Sequence, residues 1–276
     1  MMPLPYLFEL GLPFDEFRIW AQRIRPALDE AAIEPACLAL LEYVCTELLN
    51  NVVDHSAAQR ATVAFDWNAT SVILHLQDDG RGVFAGLRAG LGLESEADAA
   101  LLLSKGRVTT DPTRHTGEGL FFSARACEWF SLQSGQTVLE MNHGRGPWAM
   151  RTESEAVAGT HLRLRVSRSD PRTLASVFER YCPQPERRFT HTDVSVALLR
   201  QADGALVSRS QGKRLVLGLD LFSSVSFDFT GVDAIQQGFA DEVFRVWAQA
   251  HPAIAIQIIG ANDQVQGLLR HVGVAG

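Results

Sequence analysis

The hydrophobic pattern of this chain restarts once, after the stretch PQPERR at residues 183–188. Two prolines and a run of charge cannot continue a helix or a central strand, so the stretch reads as a linker between two folding units. Before it, helical periodicity covers 14–33 and 36–54, and Leu38, Leu41, Cys45, Leu48 and Val52 make the second helix's apolar stripe. Pro35 suits a helix start and Glu34 a non-helical residue before it. Strands follow at 61–67 and 71–78, a helix at 120–130, strand-like segments near 131–134, 137–142, 147–152 and 160–166, and a helix at 171–182. After the linker come strand 193–199, helix 208–218, strand 223–229, helix 236–250, strand 254–259 and helix 262–271. Alternating strand and helix predicts a compact second α/β unit. The chain's 276 residues suffice for two domains. The expected division is 1–170, a connector helix and linker over 171–190, and 191–276.

Hydrophobic content of 46% supports real cores, and charged content of 21% argues against disorder. A net charge of −7 gives no support for a nucleic-acid-binding surface. No apolar run is expected to span a membrane, and the N-terminus MMPLPYLFELGLPFDEF lacks the basic segment of a signal peptide. Cys37, Cys45, Cys127 and Cys182 form no CxxC pair and read as reduced core residues, which predicts a cytoplasmic protein.

Four short motifs interrupt the apolar pattern. In TELLNNVVDHS (46–56), Glu47, Asn51 and Asp54 stand at i, i+4 and i+7, one helix face at the rim of the core. A rim position partly desolvates a carboxylate and raises its pKa, as a general base requires; the structural alternative is a solvated helix edge. Asp78-Asp79-Gly80-Arg81-Gly82 follows an apolar strand, where an aspartate could accept from an exocyclic amine and the glycines let the backbone approach a ligand; the alternative is a plain turn. His115-Thr116-Gly117-Glu118-Gly119-Leu120 opens a helix, whose N–H groups suit a phosphate, with Lys105, Arg107, Arg114 and His115 upstream to neutralise it; the alternative is a surface loop. Gly159-Thr160 leads into HLRLRV, with a hydroxyl able to donate to a base or a bridging water, or simply a strand start.

In their order and spacing these motifs resemble the GHKL (Bergerat-fold) ATP-binding domain shared by DNA gyrase, histidine kinases and anti-sigma-factor serine kinases. The resemblance covers about residues 14–167 and lies in the combination. It implies an α/β fold, a two-layer α/β sandwich of the GHKL type, with ATP and Mg²⁺ as cofactors. It also implies roles: Asn51 for Mg²⁺, Glu47 as base or water-orienting carboxylate, Asp78 for the adenine amine with Thr160 beside it. Gly80 and Gly82 would shape the pocket under base and sugar, Gly117 and Gly119 would face the phosphates with Lys105 and His115, and 104–116 would form a mobile lid. Residues 1–45 contain no histidine, unlike a sensor histidine kinase, and the short N-terminal helix is more like the anti-sigma kinases. Phe121 replaces a glycine common after the leucine in family kinases.

The stretch SFDFTGVDAIQQGFADEVF resembles the strand–loop–helix signature of STAS domains, and residues 191–274 or so resemble STAS-like modules fused behind such ATPases. Phosphoswitch members of that family place a serine or threonine before the helix glycine. Here Gln236 and Gln237 precede Gly238, and glutamine accepts no phosphoryl group, so no phosphoswitch is expected at this turn; Thr230 is the alternative acceptor left open. The expected function is therefore an ATP- and Mg²⁺-binding signalling protein with a STAS-like docking module and an unidentified regulatory protein as partner. Protein serine/threonine kinase activity in trans, a slow ATPase or nucleotide-gated switch, and an ATP-binding scaffold remain alternatives, and a homodimer is an open one. Neither nucleic acid nor membrane is an expected partner.

Overall fold

The computed structural model describes residues 6–143, 146–169, 173–185 and 187–274. Residues 171, 172 and 186 of the expected connector lie outside them, as does residue 170 before it. The N-terminal half opens with strand β1 (Tyr6–Gly11) and α1 (Glu16–Ile19), which runs through a π-helical turn, Trp20–Ile24, into α2 (Arg25–Glu30). Then come α3 (Pro35–His55), β2 (Arg60–Trp67), β3 (Ser71–Asp78), α4 (Val83–Leu91), α5 (Glu96–Lys105), α6 (Gly119–Ala126), β4 (Trp129–Asn142), β5 (Gly146–Ser167) and α7 (Leu174–Tyr181). The five strands form one antiparallel sheet in the order β1-β2-β3-β5-β4. Its register aligns Val63, Leu76, Leu162 and Leu132 in one row and Phe65, Leu74, Leu164 and Phe130 in the next. All eight are buried, and each such side chain contributes roughly 1.5–3 kcal/mol on leaving water. On the other face His75 and Gln133 are half-buried and Arg163 is exposed, while the small Ala64 and Ser131 in the row of His75 and Arg163 are buried.

Helix α3 is entered as its sequence predicts: Pro35 occupies the first turn after an extended Glu34. Against the expectation from the sequence, α3 is long and apolar enough, by length and composition alone, to cross a membrane. Here Cys37, Leu41, Val44, Cys45, Leu48, Leu49 and Val52 are buried, so it serves as a core helix. The free thiols of Cys37, Cys45 and Cys127 lie in the same interior.

The C-terminal half is a three-stranded parallel sheet, β6 (His191–Ser195), β7 (Ser224–Asp228) and β8 (Ala255–Ile259), in that order. Between the strands run α8 (Val196–Asp203), α9 (Arg209–Val216), a 3₁₀ turn (Leu219–Leu221) and α10 (Gln237–Ala240). A π-helical stretch, Asp241–Trp247, then leads into α11 (Ala248–Ala250), and α12 (Asp263–His271) closes the chain. The expected strand 193–199 is therefore half helix. Its Val196, Ala197, Leu198 and Leu199 are buried all round the first turn of a helix, and a short apolar run does not distinguish a buried helix from a buried strand. The sequence reading left 83–103 unassigned. It holds α4, closed by Gly92 at φ 65°, and α5, opened by a capping box between Ser95 and Asp98 that SEAD spells out.

The molecule is thus a mixed α/β protein with one antiparallel and one parallel sheet. Its halves share a continuous core, in which Tyr181 and Phe189 from either side of PQPERR are buried. Helix α8 rests on β5, where Met150 N–H donates to Gln201 Oε1 (2.5 Å).

Candidate functional site

The C-terminal turns of α3, the end of β3 and the glycine-bearing start of α6 meet around a cavity of about 190 Å³. Glu47, Asn51, Asp78, Gly82, His115, Gly117, Gly119 and Thr160 all line it. Its walls are apolar, with Leu48, Val52, Leu76, Leu132 and Leu162 among them. A concave apolar site with a few convergent polar groups is the usual form of a small-molecule pocket.

Asp78 ends β3, opposite Ala61 of β2. Gly80 N–H donates to its Oδ1 (2.9 Å), and burial pushes the carboxyl above its usual value while hydrogen bonds from Gly80 and Thr160 oppose that shift. Gly159, at φ 63°, is required beside it: a Cβ there would stand 2.0 Å from the Asp78 carbonyl oxygen. Thr160 Oγ1 accepts from Val83 N–H (3.2 Å), which ties β5 to the first turn of α4. Asp79, the other aspartate of the pair, accepts from Gln59 and Arg60 N–H (2.8 and 2.9 Å) and holds the loop instead of facing the cavity.

Glu47 is half-buried, and burial raises its pKa, with the Glu118 carboxylate adding to the effect. The start of α6 leaves room for it, since a Cβ on Gly119 would lie 1.9 Å from Glu47 Oε2. Glu118, itself raised by burial, stands between the two glycines. Asp54 faces the loop ahead of α6, with Arg114 Nη2 at 3.7 Å and His115 Nε2 at 3.6 Å from its carboxylate. The His115 ring meets His55 edge-on at 4.4 Å, and burial, then His115, lowers the His55 pKa.

Four of the expected residues do not line the cavity; of these, Arg107 donates to the Phe189 and Leu221 carbonyls and Arg114 lies at Asp54. Lys105 does not reach the cavity: it is buried, and its Nζ donates to the Arg214 and Leu217 carbonyls of the C-terminal half (3.2 and 3.0 Å). Gly80 does not line the cavity either; a Cβ on it would meet the Ser56 carbonyl at 2.2 Å, so its role is to let the β3–α4 loop close on the end of α3. Conversely, His55, Arg81, Thr109, Thr110 and Glu118 line the cavity without having been singled out as binding residues. Of these, Glu118 had the clearest signal, lying inside the GxG motif itself.

Among the described residues, no group of three or more His, Cys, Asp or Glu side chains could hold a metal ion by itself.

Residues 211–266 match a family described as a STAS-like domain of unknown function (DUF4325). No curated protein matches the chain. The matched span runs from inside α9, through β7 and β8, into α12, so the C-terminal part of the molecule is STAS-like.

Proposed function

We propose that the N-terminal half binds ATP with Mg²⁺ in this cavity, as a GHKL-type domain of the histidine-kinase-like ATPase superfamily, and that the chain is a signalling protein whose STAS-like half docks a regulatory partner. One observation carries the reading. Glu47 and Asn51 from α3, Asp78 and Gly82 after β3, Gly117 and Gly119 before α6 and Thr160 of β5 line a single cavity although they are far apart in sequence. Chance surface motifs have no reason to converge.

In this reading Asp78 accepts the adenine amine between apolar walls, and Thr160 supports it. Asn51 is the protein's own ligand to Mg²⁺, which arrives with the triphosphate and neutralises its charge. Glu47, raised toward neutral pH by burial, orients a water or accepts a proton from an acceptor hydroxyl. The cavity of about 190 Å³ is smaller than the roughly 300–1,000 Å³ of a pocket for a whole ligand. It has room for a heterocycle, and the phosphates would lie under loop 107–118.

A second reading, a nucleotide-gated switch without protein phosphorylation, is favoured by the glutamines at 236 and 237, which leave the STAS-like half without an acceptor at that turn. Incubation with γ-labelled ATP and Mg²⁺ separates the readings. Label on an added protein supports a kinase, label as free phosphate an ATPase, and label kept on bound ATP a scaffold. Absence of Mg-ATP binding in calorimetry refutes the nucleotide site.

A further inference from the structure

Loop 107–118 borders the cavity, yet its first end is held by the C-terminal half of the molecule and its second by Phe189, which packs on Phe222 of that half with ring centroids at 5.2 Å. At its first hinge, Gly106 and Arg107 both have positive φ, 83° and 57°. For arginine this is a strained conformation, kept only where the surroundings fix it. Here the fixing groups are in the C-terminal half and the segment leading into it: the Arg107 guanidinium donates to the Leu221 carbonyl (2.5 Å) and the Phe189 carbonyl (3.5 Å), over the Phe222 ring at 5.8 Å. Gly106 sits so close to Phe189 and Phe121 that a Cβ would come within 2.6 Å of both. One residue earlier, Lys105 donates to Arg214 and Leu217, and its own carbonyl accepts from Thr192 Oγ1 of β6 (2.7 Å).

The second hinge is held in the same place. Phe121 and Phe122, in the first turn of α6, pack on Phe189 with ring centroids at 4.4 and 5.0 Å. Phe121 also meets Tyr181 at 5.0 Å. The hinges are joined to each other, because Val108 N–H donates to the Gly117 carbonyl (3.4 Å) and the buried Arg125 of α6 donates to the Ser104 carbonyl (3.3 Å). Between the hinges the loop rests on less: Arg114 and His115 at Asp54, and Thr110 where Gly90 leaves space on α4.

We infer that the STAS-like half clamps the first hinge of loop 107–118 directly and the second through Phe189, so that opening of this loop and loosening of the seam at 217–222 are one equilibrium. What the loop gates rests on the nucleotide reading above; the clamp itself does not. A ligand that favours one loop position must then shift the seam, and a partner that grips 217–222 must shift ligand affinity by the same factor.

The test is hydrogen exchange on the full chain, first without nucleotide. Arg107→Met removes the guanidinium and keeps most of the side chain's length. Exchange in 108–118 should speed up tenfold or more, accompanied by 217–222. Phe222→Leu, on the far side of the seam, should act in the same direction by a smaller factor. Unchanged exchange in 108–118 in both variants overturns the clamp. Mg-ATP is then added to the wild-type chain. Slower exchange in both 108–118 and 217–222 supports clamp and nucleotide reading together, and slowing in 108–118 alone overturns the clamp while leaving the nucleotide site standing. If ATP slows neither segment, the nucleotide reading fails, and the variants still decide the clamp.

Discussion

Helices α6 and α10 both begin at a glycine-bearing turn, Gly117-Glu118-Gly119 in one half and Gln236-Gln237-Gly238 in the other. At α6 the missing Cβ atoms leave room for a partly buried carboxylate, with Glu47 Oε2 occupying the place a Gly119 side chain would take. At α10 the space is filled by backbone: a Cβ on Gly238 would meet the Val207 carbonyl at 2.9 Å, and Gln236 N–H donates to the Leu206 carbonyl (2.9 Å). A helix start offers free N–H groups wherever it occurs. Whether they serve a ligand or the fold depends on what the rest of the chain puts opposite them.

The largest effect that would test this contrast is on turnover. Glu47→Ala should keep nucleotide and lose about 10²–10⁴ in rate, the usual share of a general base; ATP consumption at the wild-type rate would return Glu47 to a merely structural role. Asp78→Asn comes next. An amide can present its N–H₂ to the adenine amine, donor against donor, which costs about 1–3 kcal/mol, or roughly tenfold to more than a hundredfold in affinity. Equal calorimetric affinities in the two proteins would remove Asp78 from the site.

The paired glycine substitutions address the comparison itself. Gly119→Ala should impair ATP turnover, since the new methyl displaces the Glu47 carboxylate, with a melting temperature close to wild type. Gly238→Ala should leave nucleotide binding untouched and lower the melting temperature, because the new methyl meets the Val207 carbonyl and helix propensity offsets only part of that clash. Nucleotide binding lost in Gly238→Ala but kept in Gly119→Ala would invert the assignment of the two turns.

A smaller effect concerns pH. Burial, with Glu118, raises the Glu47 pKa in the folded protein, so ionising it on the way to neutral pH costs stability that is intact below the unfolded value and lost as pH rises through the folded one. Glu47→Gln should therefore melt higher than wild type near pH 7, and the difference should fade toward pH 4. A gap independent of pH would show that charge at this position is not what matters. The smallest expected signal is none at all: after incubation with Mg-ATP, intact-mass analysis should find no phosphate adduct in 225–240. An adduct at Thr230 would make the α10 turn a phosphoswitch after all.

Much of this architecture could be read from the chain. The prediction of α3, β2, β3, β7, β8 and α12 came within a residue or two of the observed ends, because each has a clean period of its own. The motifs proposed for the site lie mostly where their spacing suggested. Lys105 is not legible in this way: basic residues near a glycine-rich loop suggest a polyanion, and nothing local reveals that the amine is buried, its pKa lowered to about 7 mainly by that burial. PQPERR was read as a spacer because its composition is that of one, although the flanking Tyr181 and Phe189 are core.

What the sequence determined by itself is local: the apolar stripe of α3, the alternation of β2 and β3, the turns that only glycine permits, and the absence of a hydroxyl at Gln236 and Gln237. What the tertiary structure decided is which of these local features share a space. The apposition of Glu47 with Gly119, the turn of Lys105 toward the C-terminal half, and the strained Arg107 that joins the cavity's loop to the seam all depend on contacts between residues far apart in the chain. Side-chain periodicity specifies the face a residue occupies on its own element, and only packing specifies what that face meets.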